Sequence, residues 1–111
     1  MATLAEMECV SYRSNEAPMP EAQVYQLMPQ IPQWRIVEVE DEKRLQRTFE
    51  FKDFEQALAF TNKVGAIAEK EDHHPMLITE WGKVTVYWWT HKIHGLHHND
   101  FVMAARTDQL L

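Results

Sequence analysis

One long helical stretch with a period-two stretch on each side limits what this chain can fold into more than any other feature. Asp53, with Gln56 three residues on, forms a variant of the capping box and opens a helix from Phe54 to about Lys70 that is rich in alanine. On a helical wheel Ile67, Phe60, Val64, Ala57, Ala68, Phe54, Gly65 and Leu58 cover roughly half the circumference, wider than the arc of about 100° that a surface helix needs. Either the helix is seated deep in a core, or one flank meets a sheet and the other a neighbouring subunit. Ahead of it, Trp34 to Glu40 is β-rich, Glu40-Asp41-Glu42 makes a turn, and Leu45, Arg47, Phe49 and Phe51 alternate with Gln46, Thr48 and Glu50. Behind it, Met76 to Trp81 and Lys83 to Thr90 form a second hairpin around Trp81-Gly82. Val84, Val86 and Trp88 share one face of its last strand, and Thr85, Tyr87, Trp89 and His91 share the other.

The ends add two short helices. Pro20 opens one that runs to about Met28 before Pro29 and Pro32 stop it, and after Gly95 a cap at Asn99 or a neighbour starts the last, Phe101 to Leu110. The expected class is therefore α+β, a four-stranded antiparallel sheet with helices packed on one face in the order α-β-β-α-β-β-α. Residues 1–19 lack periodicity and read as a flexible leader on which function does not depend, and 20–111 as a single domain. At 111 residues such a domain gains from oligomerisation. No apolar run is long enough to span a bilayer, and the acidic N-terminus is unlike a secretory signal, so the expected location is cytoplasmic. A net charge of -6 argues against nucleic acid, and a lone Cys9 excludes an internal disulfide and a Cys-only zinc site.

All six histidines lie between Glu69 and Asp100. Imidazoles framed by carboxylates suit proton transfer near neutral pH, or metal binding, better than packing. His73 and His74 follow the long helix, Pro75 stiffens their turn, and His91 closes the last strand, so the three can meet at one mouth. His91, His94 and His97 repeat every third residue as metal ligands sometimes do. Their stretch starts on a strand, however, where residues three apart point to opposite faces, and Gly95 then breaks any helix that could align them. No metal is expected. His94, His97 and His98 read as solvent-facing residues near the last helix. Nothing matches a nucleophilic elbow or a phosphate-cradling glycine loop.

Glu69-Lys70-Glu71-Asp72-His73-His74-Pro75, an aromatic at Trp81, His91 after Thr90, and Asp100 together resemble the signature of the pterin-4a-carbinolamine dehydratases. The likeness extends through Ile31-Pro32-x-Trp34, Phe49-x-Phe51-Lys52-Asp53-Phe54 and Gly95-Leu96, and covers nearly everything from Pro20 onward. Bacterial members associated with phenylalanine hydroxylase are most similar, notably in Leu77-x-Thr79-Glu80-Trp81-Gly82-Lys83-Val84-Thr85-Val86 and in Asn99-Asp100-Phe101-x-Met103-Ala104-Ala105-Arg106-Thr107-Asp108.

The resemblance implies dehydration of 4a-hydroxytetrahydrobiopterin to quinonoid dihydrobiopterin and water, without cofactor or metal, in support of tetrahydrobiopterin recycling. By correspondence His73 and His91 would carry protons and His74 would contact the leaving group. Asp72, Trp89, Thr90 and Lys92 would line the pterin beside the histidines, and Glu69 and Asp100 would orient or polarise the rings. It further implies a homotetramer and a functional link to an aromatic amino-acid hydroxylase. Animal relatives that also bind a homeodomain transcription factor suggest a binding or regulatory scaffold as the alternative, with a metal-binding module third. His97 departs from the Ser or Thr that many relatives carry, a change expected to weaken the capping box with Asp100.

Overall fold

Both hairpins close on two residues, and the backbone at those residues sets the register of the sheet. In the computed structural model, which describes residues 3–14 and 16–111, strand β1 (Arg35–Val39) pairs antiparallel with β2 (Glu42–Glu50), Val39 opposite Glu42. Glu40 and Asp41 between them have φ of 52° and 64°. Two positive φ values give the tight loop that follows strand twist, a geometry usually supplied by Asn-Gly. This is why β2 begins at Glu42, three residues before the alternation at Leu45 announces it.

The second hairpin, β3 (Met76–Glu80) and β4 (Lys83–Trp88), turns at Trp81-Gly82, with Gly82 at φ 79°. A Cβ at Gly82 would lie 3.3 Å from the Phe51 carbonyl oxygen, while the Phe51 N–H donates to Gly82 O at 2.8 Å. Gly82→Ala is expected to lower stability by about 1 kcal/mol or more, measured by urea denaturation, because it combines left-handed strain with a close backbone contact.

The sheet order is β1-β2-β4-β3. Helices α1 (Glu21–Leu27), α2 (Phe54–Glu71) and α3 (His98–Asp108) complete the expected order. Leu45, Phe49, Val84, Val86 and Trp88 are buried on the face that α2 and α3 cover. Arg47 shares that face: its guanidinium lies 4.2 Å from the centre of the Phe49 ring and reaches Asp108 at 2.6 Å. The opposite face carries polar cross-strand pairs, Gln46 with Tyr87 and Thr48 with Thr85.

Asp53 caps α2 by accepting the Gln56 N–H at 2.8 Å, while Gln56 Oε1 reaches back to the Lys52 N–H rather than to that of Asp53. One flank of α2 buries Ala57, Phe60, Val64 and Ala68; on the other, Phe54 and Leu58 remain 45% and 44% exposed. Helix α2 therefore meets the sheet along one flank and leaves a second apolar flank exposed in the single chain.

Three expectations are corrected. β4 ends at Trp88 rather than Thr90, because Thr90 bridges to Gly95 and His91–Ile93 wind into a 3-10 turn. Helix α3 starts at His98 rather than Phe101, capped by His97 where Asn99 or a neighbour was expected. Within the stretch read as a flexible leader, Leu4 is instead 2% exposed in the core, and Arg106 of α3 donates to Ala5 O and Met7 O. No helix among the described residues is long and apolar enough to cross a membrane.

Candidate active site

Helix α2 ends on a residue that aims the histidines. Asp72 adopts the left-handed conformation (φ 50°, ψ 42°), and the His73 N–H bonds back to Ala68 O while that of Asp72 bonds to Glu69 O. These are the crossed bonds of a Schellman ending, which stops a helix abruptly and redirects the chain. His73 thereby turns inward. Its Nε2 lies 2.6 Å from Asp100 Oδ1, with the ring 5% and the carboxylate 0% exposed. Below it Trp88 stacks nearly parallel, 7° between planes and 5.8 Å between centroids.

Asp100 accepts two further bonds on Oδ2, from Thr90 Oγ1 at 2.8 Å and from the His97 N–H at 2.9 Å. A buried carboxylate needs such partners to offset its desolvation. Because a carboxylate only accepts, Nε2 of His73 must carry a hydrogen, and in the neutral ring Nδ1 is then the basic nitrogen. Nδ1 has no partner among the described residues.

A cavity of about 540 Å³ opens above this pair, and Asp72, His73, His74, Trp89, His91 and Lys92 all line it. His74 points outward and bonds Glu69 at 2.5 Å, so Glu69 acts on His74 from outside the cavity while Asp100 grips His73 from beneath. Thr90 likewise sits behind the wall, against Asp100. The His91 ring tilts against Trp89 at 4.2 Å, and the Arg44 guanidinium covers Trp89 at 3.8 Å. Arg44 and Trp89 are neighbours by extension of the β2–β4 register, which is how a residue 45 positions away comes to support the site.

The remaining histidines go separate ways. His94 sits at φ 57° and pairs with Glu42 at 2.8 Å. His97, expected to face solvent, instead caps α3: its Nδ1 accepts the Asn99 N–H at 3.1 Å, and Asp100 returns a bond to its backbone N–H. The capping box thus survives with imidazole in place of a hydroxyl.

Burial holds the His97 pKa below the ordinary 6.5, outweighing the pull of Asp100 and Glu16. The unfolded chain binds this proton more readily, so the His97 contribution to stability is full above 6.5 and is lost as pH falls through the lowered value. Thermal melts are expected to show Tm dropping across that acidic window, and His97→Ser, which keeps a capping oxygen, should flatten the slope.

Six residues missing from the sequence-based list complete the wall: Cys9, Val10, Ser11 and Tyr12 from the leader, with Glu71 and Asn99. Burial and the Glu71 carboxylate push the Cys9 thiol up to about 11, which leaves it neutral and unreactive near pH 7.

Fold and site together define an α+β domain whose cavity is lined by histidines, with a buried histidine-carboxylate pair at its base. The family described as pterin 4 alpha carbinolamine dehydratase matches residues 17–110, and the chain belongs to that family. A Nitrosococcus oceani protein provisionally named pterin-4-alpha-carbinolamine dehydratase is 52% identical over 111 residues, covering 100% of this chain and 98% of the relative. One from Microcystis aeruginosa with the same provisional name is 52% identical over 110 residues, covering 99% and 95%. The crystal structure of a transcriptional coactivator/pterin dehydratase from Brucella melitensis superposes with a TM-score of 0.75 at 28% identity, covering 84% of this chain and 97% of that one. The matched family range begins after Tyr12, so the leader wall lies ahead of it.

Proposed function

We propose that this protein dehydrates 4a-hydroxytetrahydrobiopterin to quinonoid dihydrobiopterin and water by histidine acid-base catalysis, and so supports tetrahydrobiopterin recycling behind an aromatic amino-acid hydroxylase. The observation that carries this reading is the buried His73–Asp100 pair at the base of a cavity that His74 and His91 also line.

The chemistry is redox-neutral. The C4a–O bond breaks and its oxygen leaves with an added proton as water. The N5–H proton is withdrawn, and that bond's electron pair becomes the new C4a=N5 bond. One group must give a proton and another take one. His73, its Nε2–H committed to Asp100, takes a proton at Nδ1; His91, solvent-exposed beside Trp89, supplies one to the leaving hydroxyl with His74 beside it. Asp72, Trp89, Thr90 and Lys92 hold the ring, directly or from behind. No electron leaves the substrate, so the chemistry asks for no redox cofactor. We also propose a homotetramer, supported by the exposed Phe54 and Leu58 flank of α2.

The test is the decay of freshly generated 4a-carbinolamine, followed by ultraviolet absorbance with and without protein and chelator. Acceleration that survives chelator is expected. Folded protein that leaves the decay rate unchanged would sink the catalytic reading and leave a binding or regulatory scaffold.

A further inference from the structure

We propose that the segment Cys9–Tyr12 is a built-in wall of the pterin site, with Tyr12 a positioning residue that seals the His73–Asp100 pair from water and sets how the ligand seats. The ligand's identity rests on the pterin reading above, while the wall itself follows from geometry alone.

Three independent contacts fix the path of this segment. Leu4 anchors its start in the core. Arg106 donates to the carbonyls of Ala5 and Met7, and the Asn99 side chain brackets Val10, accepting its N–H and donating to its carbonyl at 2.8 Å each. The paired amide bonds mimic one rung of a β-ladder, so the chain at Val10 is held in both position and direction.

Two residues later the Tyr12 ring lies 4.9 Å from the His97 ring and meets His73 nearly edge-on, at 87° and 6.5 Å. His73 is thus covered from two sides, by Trp88 below and Tyr12 at its edge. Neighbouring residues of α3 hold the two halves of the arrangement: Asn99 carries the wall and Asp100 carries the histidine. A shift of the helix would move both together, which is what fixed spacing between a wall and a proton carrier requires. Tyr12 also feels this enclosure, for burial, followed by the Asp100 and Asp72 charges, raises its pKa. Its hydroxyl therefore stays protonated near neutral pH, and the contribution assigned to it is the ring.

The experiment compares full-length wild type with Tyr12→Ala and Tyr12→Phe. The first readout needs no pterin: the rate at which diethylpyrocarbonate modifies His73, followed by peptide mass spectrometry. Tyr12→Ala is expected to speed His73 labelling, and Tyr12→Phe to restore wild-type protection. The second is steady-state dehydration together with binding of 7,8-dihydrobiopterin. Tyr12→Ala should raise KM and weaken dihydrobiopterin binding by about three- to tenfold, the scale of one aromatic contact, with a smaller change in kcat. Tyr12→Phe should rescue both. A mere folding defect would not spare kcat, nor would it be repaired by restoring a ring.

Unchanged His73 labelling in Tyr12→Ala overturns the wall. Faster labelling with unchanged KM and dihydrobiopterin affinity overturns the positioning role. Wild type that neither binds dihydrobiopterin nor speeds dehydration defeats the pterin reading instead, and the labelling comparison still decides the wall.

Discussion

A variant carrying both His73→Ala and His91→Ala is expected to lose about 10² to 10⁴ of the dehydration rate, the span that positioned acid-base groups supply. The two rings sit differently. His73 is buried, bonded to a carboxylate and stacked on an indole, whereas His91 is exposed and leans on Trp89. The buried ring has its proton inventory set by Asp100, and the exposed one exchanges freely with water.

Asp100→Asn separates the presence of His73 from its orientation. The amide would keep its oxygen toward the two donors on the Oδ2 side, Thr90 and the His97 N–H, and turn its NH2 toward His73. The ring must then accept at Nε2 and carry its hydrogen on Nδ1. A base has become a donor without leaving its place. The expected result is a fall in kcat approaching that of the double variant, with dihydrobiopterin affinity little altered. Equal rates for wild type and Asp100→Asn would remove His73 Nδ1 from the mechanism.

The second large effect falls on stability. Trp88 is fully buried, donates from Nε1 to Thr107 Oγ1 at 3.1 Å, and forms the floor under His73. Trp88→Ala is expected to cost about 3–5 kcal/mol in urea denaturation, the usual price of emptying an aromatic site in a close-packed core. For a domain whose total stability is about 5–15 kcal/mol, that is a large share. Trp88→Phe keeps a ring beneath the histidine but gives up the bond to Thr107 and part of the buried volume, so it should recover part of both stability and activity. If Trp88→Ala unfolds at the wild-type urea midpoint, the packing described here is wrong.

How much of this was legible beforehand depends on where each residue's partners lie. The bounds of α2 could be read because Asp53 and Gln56 cap it locally and its apolar positions recur at helical spacing. The faces of β2 and β4 could be read from alternation alone. The first hairpin turn was placed correctly but drawn too wide, since Glu40 and Asp41 take positive φ without glycine to announce it. The start of α3 lies a few residues ahead of the expected Phe101 because imidazole does the work of a hydroxyl at His97, and residue-type preferences for capping do not include that case.

In the site, His73, His74 and His91 stood out through their motif. Arg44 beneath Trp89 did not, because only the β2–β4 register makes them neighbours. Nor did the leader, which has no periodicity. It is ordered by α3 residues about 90 to 100 positions away, and a local pattern search carries no signal for such contacts.

The latch on that leader has an evolutionary consequence. Asn99 and Arg106 grip main-chain atoms of Ala5, Met7 and Val10, and a backbone amide or carbonyl is the same whatever side chain it bears. Leu4 is buried in the core by its side chain, and Met7 and Cys9 pack against that core in part. Substitutions from Cys9 to Tyr12 can therefore re-line the cavity while the chain keeps its course, so this stretch is an adjustable insert in an otherwise fixed frame. Descendants of such a protein can drift toward new ligands there without first dismantling the proton machinery.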